Sequence, residues 1–139
     1  MGKQSIVMLD DTGIELEVTG DAIRADAWYG YKDGIHTVAF YLENFTGHIY
    51  IEASLASDPG EEDWFPVYLN GAKSYMNYPI NPLAPMGGTS GDTFVDAYTF
   101  QGNFLWLRAR IDKSYVVPVP NTDSEKAQLG AVKKILLNH

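Results

Sequence analysis

Between residues 47 and 55 the chain alternates strictly: Ile49, Ile51, Ala53 and Leu55 point one way and His48, Tyr50, Glu52 and Ser54 the other. A period of two belongs to a strand with one buried face, not to a helix. The same alternation sets Ile14, Leu16 and Val18 against Glu15, Glu17 and Thr19, and Val38, Phe40 and Leu42 against Thr37, Ala39 and Tyr41. Patterns of this kind predict strands near residues 4–9, 13–19, 36–43, 47–55, 64–69, 73–77, 93–100, 103–111 and 131–138. Asp11-Thr12-Gly13, Lys32-Asp33-Gly34, Asp58-Pro59-Gly60, Asn70-Gly71 and Gln101-Gly102-Asn103 punctuate them. Asp-Gly and Asn-Gly pairs supply the positive φ angles of tight turns. Short strands joined in this way predict an all-β fold, an antiparallel sandwich of jelly-roll type. Helix is expected only at residues 122–129, with Thr122 or Ser124 as its cap and Gly130 as its stop.

Two segments break the rhythm. Residues 78–92 hold three prolines and three glycines, and residues 112–128 hold Pro118 and Pro120. Proline cannot donate to a ladder, so these are long loops. Connections in compact domains usually take about 4 to 6 residues, so both loops are expected to be contact arms rather than plain crossovers.

The 139 residues suit one domain, and no cysteine is present. A loop-rich β protein without thiols is not a disulfide scaffold and is expected to fold in a reducing cytosol. The N-terminal apolar run is too short for a signal peptide, and no stretch approaches a membrane span. No membrane partner is expected. Net charge is −8 and uneven: residues 1–107 carry 15 acids against 4 bases, residues 108–139 carry 3 acids against 6 bases. An acidic surface repels phosphate backbones, which argues against nucleic acid as a partner. The basic C-terminal part, with Arg108, Arg110, Lys113, Lys133 and Lys134, is expected to orient copies of the chain by meeting the acidic 58–63 turn of a neighbour.

Candidate chemistry is sparse. His36, His48 and His139 have no second ligand at metal spacing, and no nucleophile elbow, phosphate loop or paired-carboxylate setting occurs, so neither an enzyme nor a cofactor is expected. Asp58, Glu61, Glu62 and Asp63 could gather around calcium, but their spacing lacks the alternation of the helix-loop-helix site, and a solvated acidic turn is the better reading. Aromatic residues in or beside loops remain. Trp28, Tyr29, Tyr31, Tyr75 and Tyr78 are candidate interface residues, together with Arg108, Arg110 and Lys113. Trp64, Phe104 and Trp106 fall on strand patterns and are expected in the core, with Arg108 and Arg110 continuing the face of Phe104 and Trp106.

Three segments taken in order, FTGHIYIEASLASDPGEEDWFPV, GNFLWLRARI and GAVKKILLNH, resemble a β-sandwich module of virion structural proteins from tailed bacteriophages of the cyanophage and T4-like type. Gly47, Ile49, Ile51, Ser54, Leu55, Pro59, Asp63, Trp64 and Phe65 fit its first strand and turn; Gly102, Asn103, Phe104, Trp106, Arg108 and Ala109 its second; Gly130, Ile135, Asn138 and His139 its last. Residues 1–44 and the segment DKSYVVPVPNTDSEKAQLG fall outside the likeness. The resemblance implies a small virion component, a capsid decoration, neck, tail or fibre-attachment piece, made in the host cytoplasm. Its partners would be other virion proteins and copies of itself in a homo-oligomer. The alternative is a carbohydrate-binding or receptor-binding sandwich with Trp28, Tyr29, Tyr31 and Tyr75 as stacking platforms for a glycan.

Overall fold

The computed structural model describes residues 5–30, 33–69, 74–78, 91–116 and 119–138. Its strands are β1 (Ser5–Leu9), β2 (Glu17–Thr19), β3 (Ile23–Arg24), β4 (Ile35–Glu43), β5 (Gly47–Ser54), β6 (Phe65–Pro66), β7 (Met76–Tyr78), β8 (Val95–Gln101), β9 (Trp106–Asp112) and β10 (Ala131–Asn138). The helix α1 (Asp123–Ala127) and a 3-10 turn at Glu61–Asp63 complete the described elements. One sheet runs β1-β10-β4-β8; the other runs β2-β9-β5-β6, with β3 also on β9 and β7 also on β5. Every pairing is antiparallel.

The order has a simple origin. β1 pairs with β10, β2 and β3 with β9, β4 with β8, and β5 with β6 and β7, so the chain is one long hairpin folded about the turn at residues 55–64. That hairpin coils until β10 also lies against β4 and β9 against β5, which closes the four-stranded and the six-stranded sheet into a jelly roll. The all-β sandwich read from the alternation is the observed architecture.

Between the sheets lies one apolar cluster. β4 contributes Val38, Phe40 and Leu42, β10 contributes Val132, Ile135 and Leu137, β5 contributes Ile49, Ile51 and Ala53, and β9 contributes Leu107, Ala109 and Ile111. Fully burying one such aliphatic side chain stabilises by roughly 1.5–3 kcal/mol, which is why a one-residue slip of either central strand is excluded.

The chain crosses from one sheet to the other at Asn44, whose φ is +49°. Its amide donates to Thr93 Oγ1 at 2.8 Å, and Phe45 and Asp92 exchange backbone bonds beside it. Gly130 has φ +66°, and a Cβ there would collide with the Asn44 carbonyl. Glycine is therefore required where α1 hands over to β10. Thr122 proves to be the cap of α1: Glu125 N donates to Thr122 Oγ1 at 3.1 Å while Glu125 Oε1 accepts from Thr122 N at 3.2 Å.

Several boundaries differ from the sequence reading. The 13–19 strand shortens to Glu17–Thr19, because Gly13 turns the chain with φ +56°. The 64–69 strand keeps only Phe65–Pro66, although Val67 N still donates to Ile51 O at 2.7 Å. The short β3 was not foreseen. Leu55 ends its alternation outside the core, 60% exposed at the hairpin tip. The turn at Asn70-Gly71, residues 79–90 of the first long loop, Tyr31 and His139 lie outside the described residues.

Candidate functional site

Because β5 and β9 bury their odd-numbered residues, their even-numbered side chains meet on the outer face of the six-stranded sheet. The register sets His48 opposite Asp112, Tyr50 opposite Arg110, Glu52 opposite Arg108 and Ser54 opposite Trp106. Directly opposed side chains in an antiparallel pair are close enough to interact. Glu52 sits at the centre, its Oε1 accepting from Arg108 Nε at 2.8 Å and its Oε2 from Arg110 Nε at 3.2 Å. One carboxylate thus holds two guanidinium groups flat against the sheet.

Each guanidinium also covers an aromatic ring. Arg110 Cζ lies 3.8 Å from the Tyr50 ring centroid, and Arg108 Cζ lies 4.3 Å from that of Trp64. Beyond Tyr50 the ladder runs to Tyr75 at 5.3 Å, from Tyr75 to His48 at 4.2 Å, and from His48 to Tyr115 at 3.8 Å with the rings nearly parallel. Burial raises the Tyr115 hydroxyl pKa, with Asp112 adding to it. At the other end Trp28 packs on Trp106 with centroids 5.0 Å apart, and Arg24 Cζ lies 4.7 Å from the Trp28 ring. Trp64 and Trp106 wall a cleft of about 440 Å³ that also takes in Asp58, Glu61 and Arg108.

Of the residues singled out in the sequence, Trp28, Tyr75, Arg108 and Arg110 meet in this ladder, and Tyr29 is exposed nearby on the 25–30 turn. Tyr78 and Lys113 do not. Tyr78 is fully buried, because β7 sets it opposite Gly47 and turns its ring toward Phe45, 5.9 Å away. Its hydroxyl donates to Asp96 Oδ2 at 2.7 Å, and burial, then that bond, pushes its pKa far up. Lys113 is also fully buried, its stem running past Gly47 and its Nζ donating to Gly130 O at 2.7 Å and Gly13 O at 3.3 Å. It pins the end of β9 to the start of β10. Burial lowers its pKa to about 8, against the raising influence of Glu15 and Asp11.

Trp64 and Trp106 are not core residues. They are half-buried on the outer face, since the inward side of β9 belongs to Leu107, Ala109 and Ile111. Phe104 does pack against the core. The residues missed by sequence reasoning, His48, Tyr50, Glu52 and Tyr115, had a signal in part: the alternation of β5 had already put the first three on one face, opposite the isoleucines. What it could not supply was the partner strand that turns a polar face into a neutralised one.

The acidic turn is organised by the chain itself. Asp63 Oδ2 accepts from Gly60 N at 2.7 Å, and Glu61 Oε2 accepts from Arg108 NH1 at 3.3 Å. The meeting of Arg108 with the 58–63 turn, expected between copies, takes place within one chain. Among the described residues no three or more His, Cys, Asp or Glu side chains are grouped to hold a metal ion, and no helix is long and apolar enough to cross a membrane. His36 is buried, stacked on Phe100 at 5.2 Å, and its Nε2 accepts from Asp26 N at 3.2 Å.

The fold and this face define an all-β jelly-roll domain with an aromatic and arginine ladder on one sheet. In comparisons with known proteins, no family model, no curated protein and no solved structure matches the chain.

Proposed function

We propose that this chain is a structural component of a tailed-phage virion, a capsid decoration, neck, tail or fibre-attachment protein, and that it binds other virion proteins through the ladder on its six-stranded sheet. The observation that carries the reading is the make-up of that face. Tyr50, Tyr75, His48 and Tyr115 lie beside two arginines whose charge Glu52 and Glu61 together offset within the chain. Protein interfaces are enriched in tyrosine, tryptophan and arginine and depleted of unpaired charge at their centres. Order in the free chain also lowers the entropy lost on docking, because the arginines are already held. The three motif segments and the jelly roll, an architecture used by viral capsid domains among others, support the same setting. Fold alone does not fix function, so the weight rests on the face. A homo-oligomer about a symmetry axis fits such a component, because each copy would present the same ladder to its neighbours.

The reading is tested in purified particles of a phage that encodes the chain. Mass spectrometry should find it there in fixed copy number, and a double change Tyr50→Ser and Tyr75→Ser should remove it from particles while the circular dichroism spectrum stays that of a β protein. Particles that lack the parent chain, or that take up the double variant unchanged, would overturn the proposal. A glycan-binding reading has one observation in its favour, the tryptophan-walled cleft at the far end of the ladder.

A further inference from the structure

We infer that this cleft, at the tip of the folded hairpin, binds a neutral sugar residue of a glycan. Its walls are Trp64 and Trp106, and its polar groups are the carboxylates of Asp58 and Glu61 and the guanidinium of Arg108. The volume of about 440 Å³ falls within the roughly 300–1,000 Å³ of small-ligand clefts.

The ligand class follows from charge and from what the rings already carry. An anion would face the acids of residues 58–63, four against the single Arg108, which itself is shared between Glu52 and Glu61. A cation would seek the faces of the tryptophans, yet Arg108 already covers Trp64 and Trp28 already covers Trp106, with Arg24 over Trp28 in turn. The ring faces that an ammonium group would take are held by the chain's own Arg108 and Trp28. What remains is a group that presents an apolar patch to indole and offers hydroxyls as both donors and acceptors. A pyranose does this: its C–H face lies on the exposed parts of the two indoles, hydroxyls donate to Asp58 and Glu61, and one accepts from Arg108.

A second observation points the same way. Trp106 Nε1 is buried without a hydrogen-bond acceptor among the described residues. A buried donor left unmade costs about 1–3 kcal/mol, so a native site that keeps one calls for an explanation. Trp28, which packs on Trp106, is 42% exposed and sits on the 25–30 turn. The unpartnered N–H belongs to an indole that walls the cleft, and a ligand hydroxyl is the acceptor it lacks. The site differs from the platforms expected from sequence: Trp28 only packs on Trp106, and Tyr29 and Tyr75 take no part. The inference does not rest on the assembly reading, since a chain absent from particles could still bind a sugar here.

The test uses the whole chain, displayed in many copies so that weak single-site binding is read. It is applied to an array of neutral, sialylated and sulfated glycans, with poly-lysine as the cationic probe. Binding of at least one neutral glycan is expected, with sialylated or sulfated forms of the same glycan weaker. Tryptophan fluorescence titrated with the hit should report it. Trp64→Ala should weaken binding at least tenfold, Glu61→Gln several-fold, and Tyr75→Ser not at all. Trp64→Phe, which keeps an aromatic wall and guards against a folding defect, should retain part of the affinity. No neutral glycan bound, poly-lysine bound in preference to every glycan, or equal binding by Trp64→Ala would each overturn the inference.

Discussion

The two outer faces of this sandwich are built on the same alternation and differ in almost everything else. On the four-stranded sheet one row reads Ser5, Asn138, Thr37 and Thr99 and the next Val7, Leu136, Ala39 and Ala97, all small or medium side chains without a charge. The side-chain bonds among them are two, Thr37 Oγ1 with Thr99 Oγ1 at 2.9 Å and Asn138 Nδ2 donating to Ser5 Oγ at 3.3 Å, both between exposed neutral groups. On the six-stranded sheet the corresponding rows hold Trp106, Arg108, Glu52, Arg110 and Tyr50, tied by two ion pairs and several ring contacts. Both faces leave the interior alike. The first therefore shows what the fold requires of an outward position, and the second shows what has been added to it. Added order of that kind lowers the cost of docking and makes the second face the one to read for function.

The largest break in this comparison should come from Glu52→Ala. Glu52 has only 12% of its side chain exposed and Arg108 only 15%, so the change leaves two guanidinium groups against the sheet with their shared counter-charge gone. Removing one partner of a fully buried pair costs about 3–5 kcal/mol; with Arg108 still on Glu61 and Arg110 30% exposed, the loss should be about 1–3 kcal/mol. Thr99→Ala on the plain face removes an exposed hydroxyl contact and should shift stability by less than about 0.5 kcal/mol. Urea melts of the two variants check the ranking. Equal effects would mean that the clamp is ornamental.

Lys113 bears on how far either face can be altered without loosening the sandwich, because it joins Gly13, before β2, to Gly130, before β10. In the unfolded chain it keeps its proton up to about 10.5, in the folded one only to about 8. Between those values unfolding takes up a proton, so stability should rise with pH. Above about 10 the trend reverses: burial, then the bond to Asp96, pushes Tyr98 up to about 12, and Tyr78 is raised for the same reasons, so the unfolded state loses phenolic protons first. Stability should therefore peak near pH 10. In Lys113→Met the rise from pH 8 to 10 should disappear while the fall above 10 persists, read by urea midpoints across that range.

How much of this was legible in the sequence depends on which strand must be known. A strand's own alternation is local, and it placed the inward residues of β4 and β5 correctly, and with them the all-β class. Trp106 shows the limit. Its spacing to Arg108 and Arg110 was plain, but which side of β9 faces inward is decided by Ala109 and Ile111 packing against β5, a contact between residues about 60 positions apart. Lys113 failed for the same reason: a lysine following a strand reads as exposed until Gly47, on another strand, is seen to leave room for its stem. The helix cap was narrowed to Thr122 or Ser124 because capping is local, and the bonds between Thr122 and Glu125 decide for Thr122.

A smaller effect is expected where the ladder ends. Tyr115 is 41% exposed and stacks on His48, so Tyr115→Ala should cost about 1 kcal/mol, the usual worth of an aromatic pair beyond its burial. Val7 is 49% exposed on the plain face with no such partner recorded, and Val7→Ala should stay within about 0.5 kcal/mol. If both cost the same, the stacking adds nothing to ordinary surface packing.

The smallest effect should come from the exposed ion pairs of Lys133, on the four-stranded sheet's side. Lys133 Nζ lies 3.0 Å from Asp11 Oδ2 and 4.0 Å from Glu43 Oε2, with all three side chains about half exposed or more. The backbone amide of Gly13, bonded to Asp11 at 2.9 Å, lowers the Asp11 pKa more than Lys133 does. Folded Asp11 thus gives up its proton more readily than the unfolded residue, and its contribution is present above the ordinary carboxylate pKa of 3.8 and lost as pH falls below it. Because the amide bond survives Lys133→Ala, most of that acid-side loss should survive too. What the substitution removes is a screened surface attraction, and the difference from the parent at low salt should vanish at 1 M, where the screening length is only about 3 Å. The Glu52 clamp, drawn from the same charges but half sealed under aromatic rings, should keep most of its effect at that salt. A clamp as salt-sensitive as the Lys133 pair would mean that both faces are wet alike, and the contrast between them would be one of composition only.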